Sequence, residues 1–176
     1  MKKERQNLGE KFTVKGVILL ILLIAFLIGL FWLIVFSGEQ KTPATSEQVC
    51  ATLEKYGLTP SDFTEGYIEE YPKRSFVAVV GYRTKDFRIE WFEFEGEKGA
   101  RAATVDFNQA ILDARDITND IEFEEANPYY YIHTYNVDDK HFWVMRIENT
   151  AIYGFCYDDN YEKMVDIMAE LGYTSE

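Results

Sequence analysis

His133 and His141 are the chain's only histidines, and acidic residues are plentiful around them. Two imidazoles and an aspartate could share a metal ion and activate water, since neutral imidazole is a common metal ligand. Their spacing matches no standard ligand signature. Both fall in alternating, strand-like runs joined by Val137-Asp138-Asp139-Lys140. A hairpin turning between Asp138 and Asp139 sets Asn136 opposite His141. His133 then lies on the other face, roughly 10 Å away at ~3.3 Å per residue. Polar positions on a half-exposed sheet explain the pair more simply. A metal-assisted hydrolase using His133, His141 and nearby carboxylates is therefore the alternative reading, not the first.

The other chemistry-bearing groups are weaker. Asp158-Asp159-Asn160 resembles a fragment of a calcium loop but lacks the alternating ligands, the central glycine and the closing glutamate. Helix capping accounts for Asp159. Asp116, Asp120, Glu122, Glu124 and Glu125 form a denser acidic group, read as a solvated loop. No serine sits in a nucleophile elbow, no glycine-rich phosphate loop occurs, and no cofactor is expected. Tyr129, Tyr131, Tyr135 and Trp143 supply rigid amphipathic rings of the kind found at interfaces, and they are the expected interaction surface. Cys50 and Cys156 are the only cysteines. An oxidising compartment would permit a disulfide between them.

What positions these groups is first a membrane segment. Val17 to Phe36 is a run of 20 residues without charge or proline. At ~1.5 Å per residue it makes a helix of about 30 Å, the thickness of a bilayer's hydrocarbon core. Residues 1–16 form a basic tail with Lys2, Lys3, Arg5, Lys11 and Lys15, and positive flanks stay cytoplasmic. The expected protein is a single-pass signal-anchor in the cell membrane, with its C-terminal domain outside the cytoplasm. A cleaved signal peptide would have a shorter core and small residues at the cut, and Phe36-Ser37-Gly38 is a poor cut site. Ala25 and Gly29 make one small-xxx-small pair, a weak signal for helix association.

Residues 37–44 read as a linker and 45–176 as one extracytoplasmic α+β domain. Residues 37–176 carry 13 basic and 28 acidic side chains, a net charge near −15. That balance excludes nucleic acid, whose phosphates need a basic patch. The abundant aromatic residues exclude an acidic disordered tail.

Thr45 with Gln48 forms a capping box ahead of Val49, Leu53 and Tyr56 at helical spacing, and Gly57 stops that helix. Strands are expected over 65–71, 76–82 and 86–95. In the last of these Phe87, Ile89 and Trp91 take one side and Phe92 and Phe94 the other, which suggests a bulge or a change of covered face. Ala100 to Ala103 reads as a short strand and 104–115 as a helix capped by Asp106 and Gln109. A short strand near Ile121 and Phe123 or a loop comes next. Strands over 129–136, 141–148 and 151–156 follow, and a last helix capped by Asp159 and Glu162 ends at Gly172.

A shift of 54 residues superimposes Phe107 on Tyr161, Ile111 on Val165 and Ile89 on Trp143. This raises a pseudo-duplicated strand-strand-strand-helix unit. The expected fold is therefore a two-layer domain, an antiparallel sheet with helices over one face. The expected function is a membrane-anchored binding or protein-interaction module, such as an accessory subunit of an envelope complex, with a protein, peptide or glycan as partner.

Overall fold

The computed structural model describes residues 14–36, 41–115, 121–126 and 128–174, with the backbone alone at 14, 15, 31–36, 114, 115 and 121–125. The chain divides into two compact units, Met1–Glu39 and Gln40–Glu176. The first contains helix α1, Val14–Phe36. Its large apolar side chains from Val17 to Leu30 are exposed. Among the described residues no helix is long and apolar enough to cross a membrane; for α1 the described side chains span residues 16–30.

The second unit is α+β. A seven-stranded antiparallel sheet has the order β1-β2-β3-β7-β6-β5-β4, with β1 only Ser61–Asp62. The full strands are β2 Phe76–Arg83, β3 Phe87–Phe94, β4 Ile121–Ala126, β5 Tyr130–Val137, β6 Lys140–Ile147 and β7 Thr150–Tyr157. β2 and β3 form one hairpin, and β4 to β7 form a meander that returns to pair β7 with β3. The tight turns put Asp138 and Glu148 at positive φ, 56° and 49°. The register of β5 and β6 places Asn136 opposite His141, as the turn chemistry requires.

Helices cover both faces, so the domain has three layers rather than two. On one face α2 (Ser46–Lys55) and α5 (Tyr161–Glu170) pack over Val80, Ile89, Trp91, Met145 and Ile152 in a single core. On the other, α3 (Thr64–Glu70) and α4 (Glu97–Arg115) lie over Val79, Phe92, Phe94 and Val144. The slip of phase in β3 is therefore plain alternation in a strand buried on both sides. The sheet's register shifts lie instead in β2, between Phe76 and Ala78, and in β4, between Ile121 and Phe123. Because α4 and α5 lie on opposite faces, no twofold axis normal to the sheet relates two halves.

The capping box of α2 is formed: Thr45 Oγ1 accepts from the Gln48 amide, and Gln48 Oε1 accepts from the Thr45 amide. Three other local readings are corrected. Residues 64–70 are helix, not strand. Phe63 and Tyr67, four apart, face the sheet, and seven residues are too few to show that period clearly. Helix α4 begins at Glu97, absorbing the expected strand at 100–103, so Asp106 is interior and caps nothing. Gly99, Ala100 and Ala103 let the backbone approach β3, and a Cβ at Gly99 would lie 3.0 Å from Phe94. Buried Arg146 of β6 fixes that helix start by donating to Glu97 at 2.9 Å. Asp159 lies in a 3-10 turn, Asp158–Asn160, and α5 has no side-chain cap.

Candidate binding cleft

The face under α3 and α4 is built as two apolar clusters, one around Phe92 and Phe94 and one around Tyr135 and Phe142. Phe107 of α4 and Tyr153 of β7 pack against both. Over this seam lies a cleft of about 420 Å³, within the range of ligand sites. Its aromatic lining comes from α3 and its C-terminal end (Tyr67, Tyr71), β2 (Phe76), β3 (Phe92), α4 (Phe107), β6 (Phe142) and β7 (Tyr153). Ala110 and Ile111 line the α4 side, and Arg74, Arg88 and Asp106 supply the charge. Arg74 pairs with Asp106, joining the turn after α3 to α4.

Beneath the cleft Glu90 is wholly buried, with a side chain 0% exposed. β2 and β3 set Arg83 directly opposite Arg88, a cross-strand pair of like charge. Glu90, two residues along on the same face, resolves that repulsion. Arg83 Nε donates to Glu90 Oε1 at 2.7 Å, and Arg88 Nε to Oε2 at 2.8 Å. Both Nη2 groups also reach Glu90. The Tyr67 hydroxyl donates to Oε2 at 2.9 Å and accepts from Arg88 at 3.0 Å. Gly81, the residue opposite Glu90, makes the strand approach close enough: a Cβ there would meet the Ile89 carbonyl at 2.2 Å.

The charges follow this geometry. Burial, then the Glu90 charge, pushes the Tyr67 phenol up to about 12. Burial alone would lower the Arg88 pKa, but its bonds to Glu90 and that carboxylate's charge outweigh burial and hold it above the ordinary value. The Arg88 guanidinium also lies 4.8 Å from the Tyr153 ring centroid, which fixes its plane.

The residues singled out from sequence lie elsewhere and apart. His133 is buried on the α4 face, where its Nδ1 meets the hydroxyls of Tyr131 and Tyr135. Asn108 of α4 ties both tyrosines, at 2.8 and 3.0 Å. His141 lies on the α2/α5 face, bonded to Asn136 and Asp158 at 2.6 Å each. The sheet thus separates the two histidines. Among the described residues no three His, Cys, Asp or Glu side chains converge on a metal position.

Tyr135 and Trp143 are core residues on opposite faces, and Tyr129 and Tyr131 are half-buried, so the four form no common exposed surface. Cys50 and Cys156 are both free thiols, and the disulfide that the sequence permitted is not formed. In the acidic group, Asp116 and Asp120 and the side chains of Glu122, Glu124 and Glu125 lie outside the described residues.

Sequence reasoning missed Glu90, Arg88 and Tyr67. One signal was available: Arg88-Ile89-Glu90-Trp91-Phe92 puts two opposite charges on one side of a run whose other residues are all large and apolar. No protein family, curated protein or solved structure matches the chain.

Proposed function

We propose that this protein is a membrane-anchored extracytoplasmic binding module, and that the α3/α4 cleft seats its ligand. The observation that carries the reading is the cleft: an aromatic concavity whose polar groups are already ordered. Arg88 is held by Glu90 and Tyr67, and Arg74 by Asp106, so recognition needs little side-chain reorganisation. None of these groups is a nucleophile beside a base, which favours binding over chemistry. The rival hydrolase needs His133 and His141 on one metal, and they face opposite sides of the sheet.

The anchor rests on the uncharged run from Val17 to Phe36 and on α1, helical over 23 residues. The basic residues before it favour a cytoplasmic N-terminus. The partner belongs to the cell envelope, either a subunit of a complex or a smaller molecule.

Two experiments test this. Protease added to intact cells is expected to remove residues 40–176, and complete protection would reverse the orientation. Amide exchange of the full chain in lipid nanodiscs, with native envelope extract added, is expected to slow at 64–71 and 103–111. Filling the cleft by Ala110→Trp should abolish that protection. Exchange unchanged by extract would overturn the binding reading, and protection that survives Ala110→Trp would move the site.

A further inference from the structure

Resting on that reading of the cleft, we propose that its ligand is an amphipathic anion, an aromatic or aliphatic body carrying one carboxylate-type group. The body is specified by the seven aromatic rings and by Ala110 and Ile111. The charge is specified by a local imbalance. Two guanidiniums, Arg74 and Arg88, line the cleft against one carboxylate, Asp106. The Glu90 charge lies below, at a fully covered position shared between Arg83 and Arg88; counted once each, three guanidiniums meet two carboxylates, Asp106 and Glu90, an excess of one. Glu70 is outside the lining, bonded to the Tyr71 hydroxyl.

The excess is opposite in sign to the net charge of residues 37–176, which carry 28 acidic and 13 basic side chains. Arg88 is also oriented for the task. Its Nε and Nη2 edge faces Glu90, its face lies over Tyr153, and about a third of the side chain (32%) remains open. An incoming anion would bridge the free edge and Arg74, taking the place of Asp106 there. A planar carboxylate suits a guanidinium's paired donors. A cation would meet Arg88 at the floor, and a neutral body would leave the charge unanswered.

The test uses the full chain in lipid nanodiscs, with empty nanodiscs as blank. Three probes share one ring system: 2-naphthoate, 2-naphthalenemethanol and 2-naphthylmethylammonium. Saturation-transfer NMR titrations should show naphthoate binding about tenfold or more tighter than the other two, the size of one charge-assisted bond. Arg74→Gln, at the mouth, should remove most of that preference, and so should Arg88→Gln if its thermal unfolding shows it folded. Ala110→Trp should abolish binding of all three. Equal affinity for naphthoate and the alcohol, or a preference that survives Arg74→Gln in the folded protein, would overturn the anion assignment and leave the cleft. No binding by any probe, or binding untouched by Ala110→Trp, would overturn the cleft itself.

Discussion

The two faces of the sheet are covered by the same number of helices yet end up differently. Under α2 and α5 one continuous core runs from Val49 and Leu53 through Trp91 and Ile152 to Met164 and Met168. Under α3 and α4 the apolar residues split into two clusters joined only through half-buried Phe107 and Tyr153, with a cleft above the join. The cause is local. Helix α3 is seven residues long, and near its start α4 carries Gly99, Ala100 and Ala103, which let it press down onto β3. A short helix and a helix seated hard at one end cannot close the face between them. The closed face keeps the domain folded, and the open one is left for a ligand.

The largest predicted effect tests the closed face. Leu53→Ala removes a side chain with no exposure from the continuous core under α2 and α5. It should cost about 3–4 kcal/mol by denaturant unfolding, the upper part of the range for such truncations. Phe107→Ala, on the seam of the open face, should cost only about 1–2 kcal/mol despite deleting more atoms, because its ring is half exposed to the cleft already. Equal costs would mean that the two faces are packed alike and would remove the basis of the comparison.

Between these lies the charge cluster. Glu90→Gln keeps the shape but leaves Arg83 and Arg88 opposed without their carboxylate. The loss should be about 2–3 kcal/mol, less than for a fully buried pair, since both arginines reach solvent. Adding Arg83→Gln to Glu90→Gln should restore part of it, and a double variant no more stable than the single would sink the account of Glu90 as the mediator of a like-charge pair.

The sequence was most legible where physics is local. The Thr45–Gln48 capping box, the turn at Asp138, the stop at Gly57 and the pairing of Asn136 with His141 each depend on a few adjacent residues. The open face was illegible for the same reason. Tyr67 reaches Glu90 across 23 positions, and Arg146 reaches Glu97 across 49. Nothing in local periodicity announces such meetings. The Tyr129–Tyr135 run misled because tyrosine serves cores as readily as interfaces when its hydroxyl finds a partner, as Asn108 provides here. The start of α4 was hidden because a glycine that lets a helix approach a strand, as Gly99 does, looks in sequence like a turn.

A smaller effect appears in alkali. The Tyr67 phenol is raised from 10.0 to about 12 by burial and by Glu90, so the folded state holds that proton more tightly than the unfolded chain. Its contribution is complete below pH 10 and is lost as pH climbs through about 12. Tyr173, on the closed face, is raised to about 12 as well, by burial. Tyr67→Phe should therefore lose less stability between pH 9 and 11.5 than the natural protein, while Tyr173 keeps some alkaline slope in both. Identical slopes would show that the phenol is not held as the cluster requires.

The two thiols report on the closed face without altering it. Cys156 has no exposure, and burial, then Asp158, pushes its thiol up to about 12. Cys50 is half-buried on α2, and its thiol is raised by burial and by Glu54 and Glu47. Both are sluggish nucleophiles at neutral pH, so access decides the order. Iodoacetamide followed by mass spectrometry should modify Cys50 in the native protein and Cys156 only through opening of the α5 side. If that opening is global, Cys156 labelling should accelerate with destabilisation, about 300-fold in Leu53→Ala and about tenfold in Phe107→Ala, since 1.4 kcal/mol is a factor of ten. Cys156 labelling as fast as Cys50 in the natural protein would mean that α5 lifts from the sheet by itself. In that case the face under α2 and α5 would be the mobile one, and the division between a closed core and an open seat would have to be reversed.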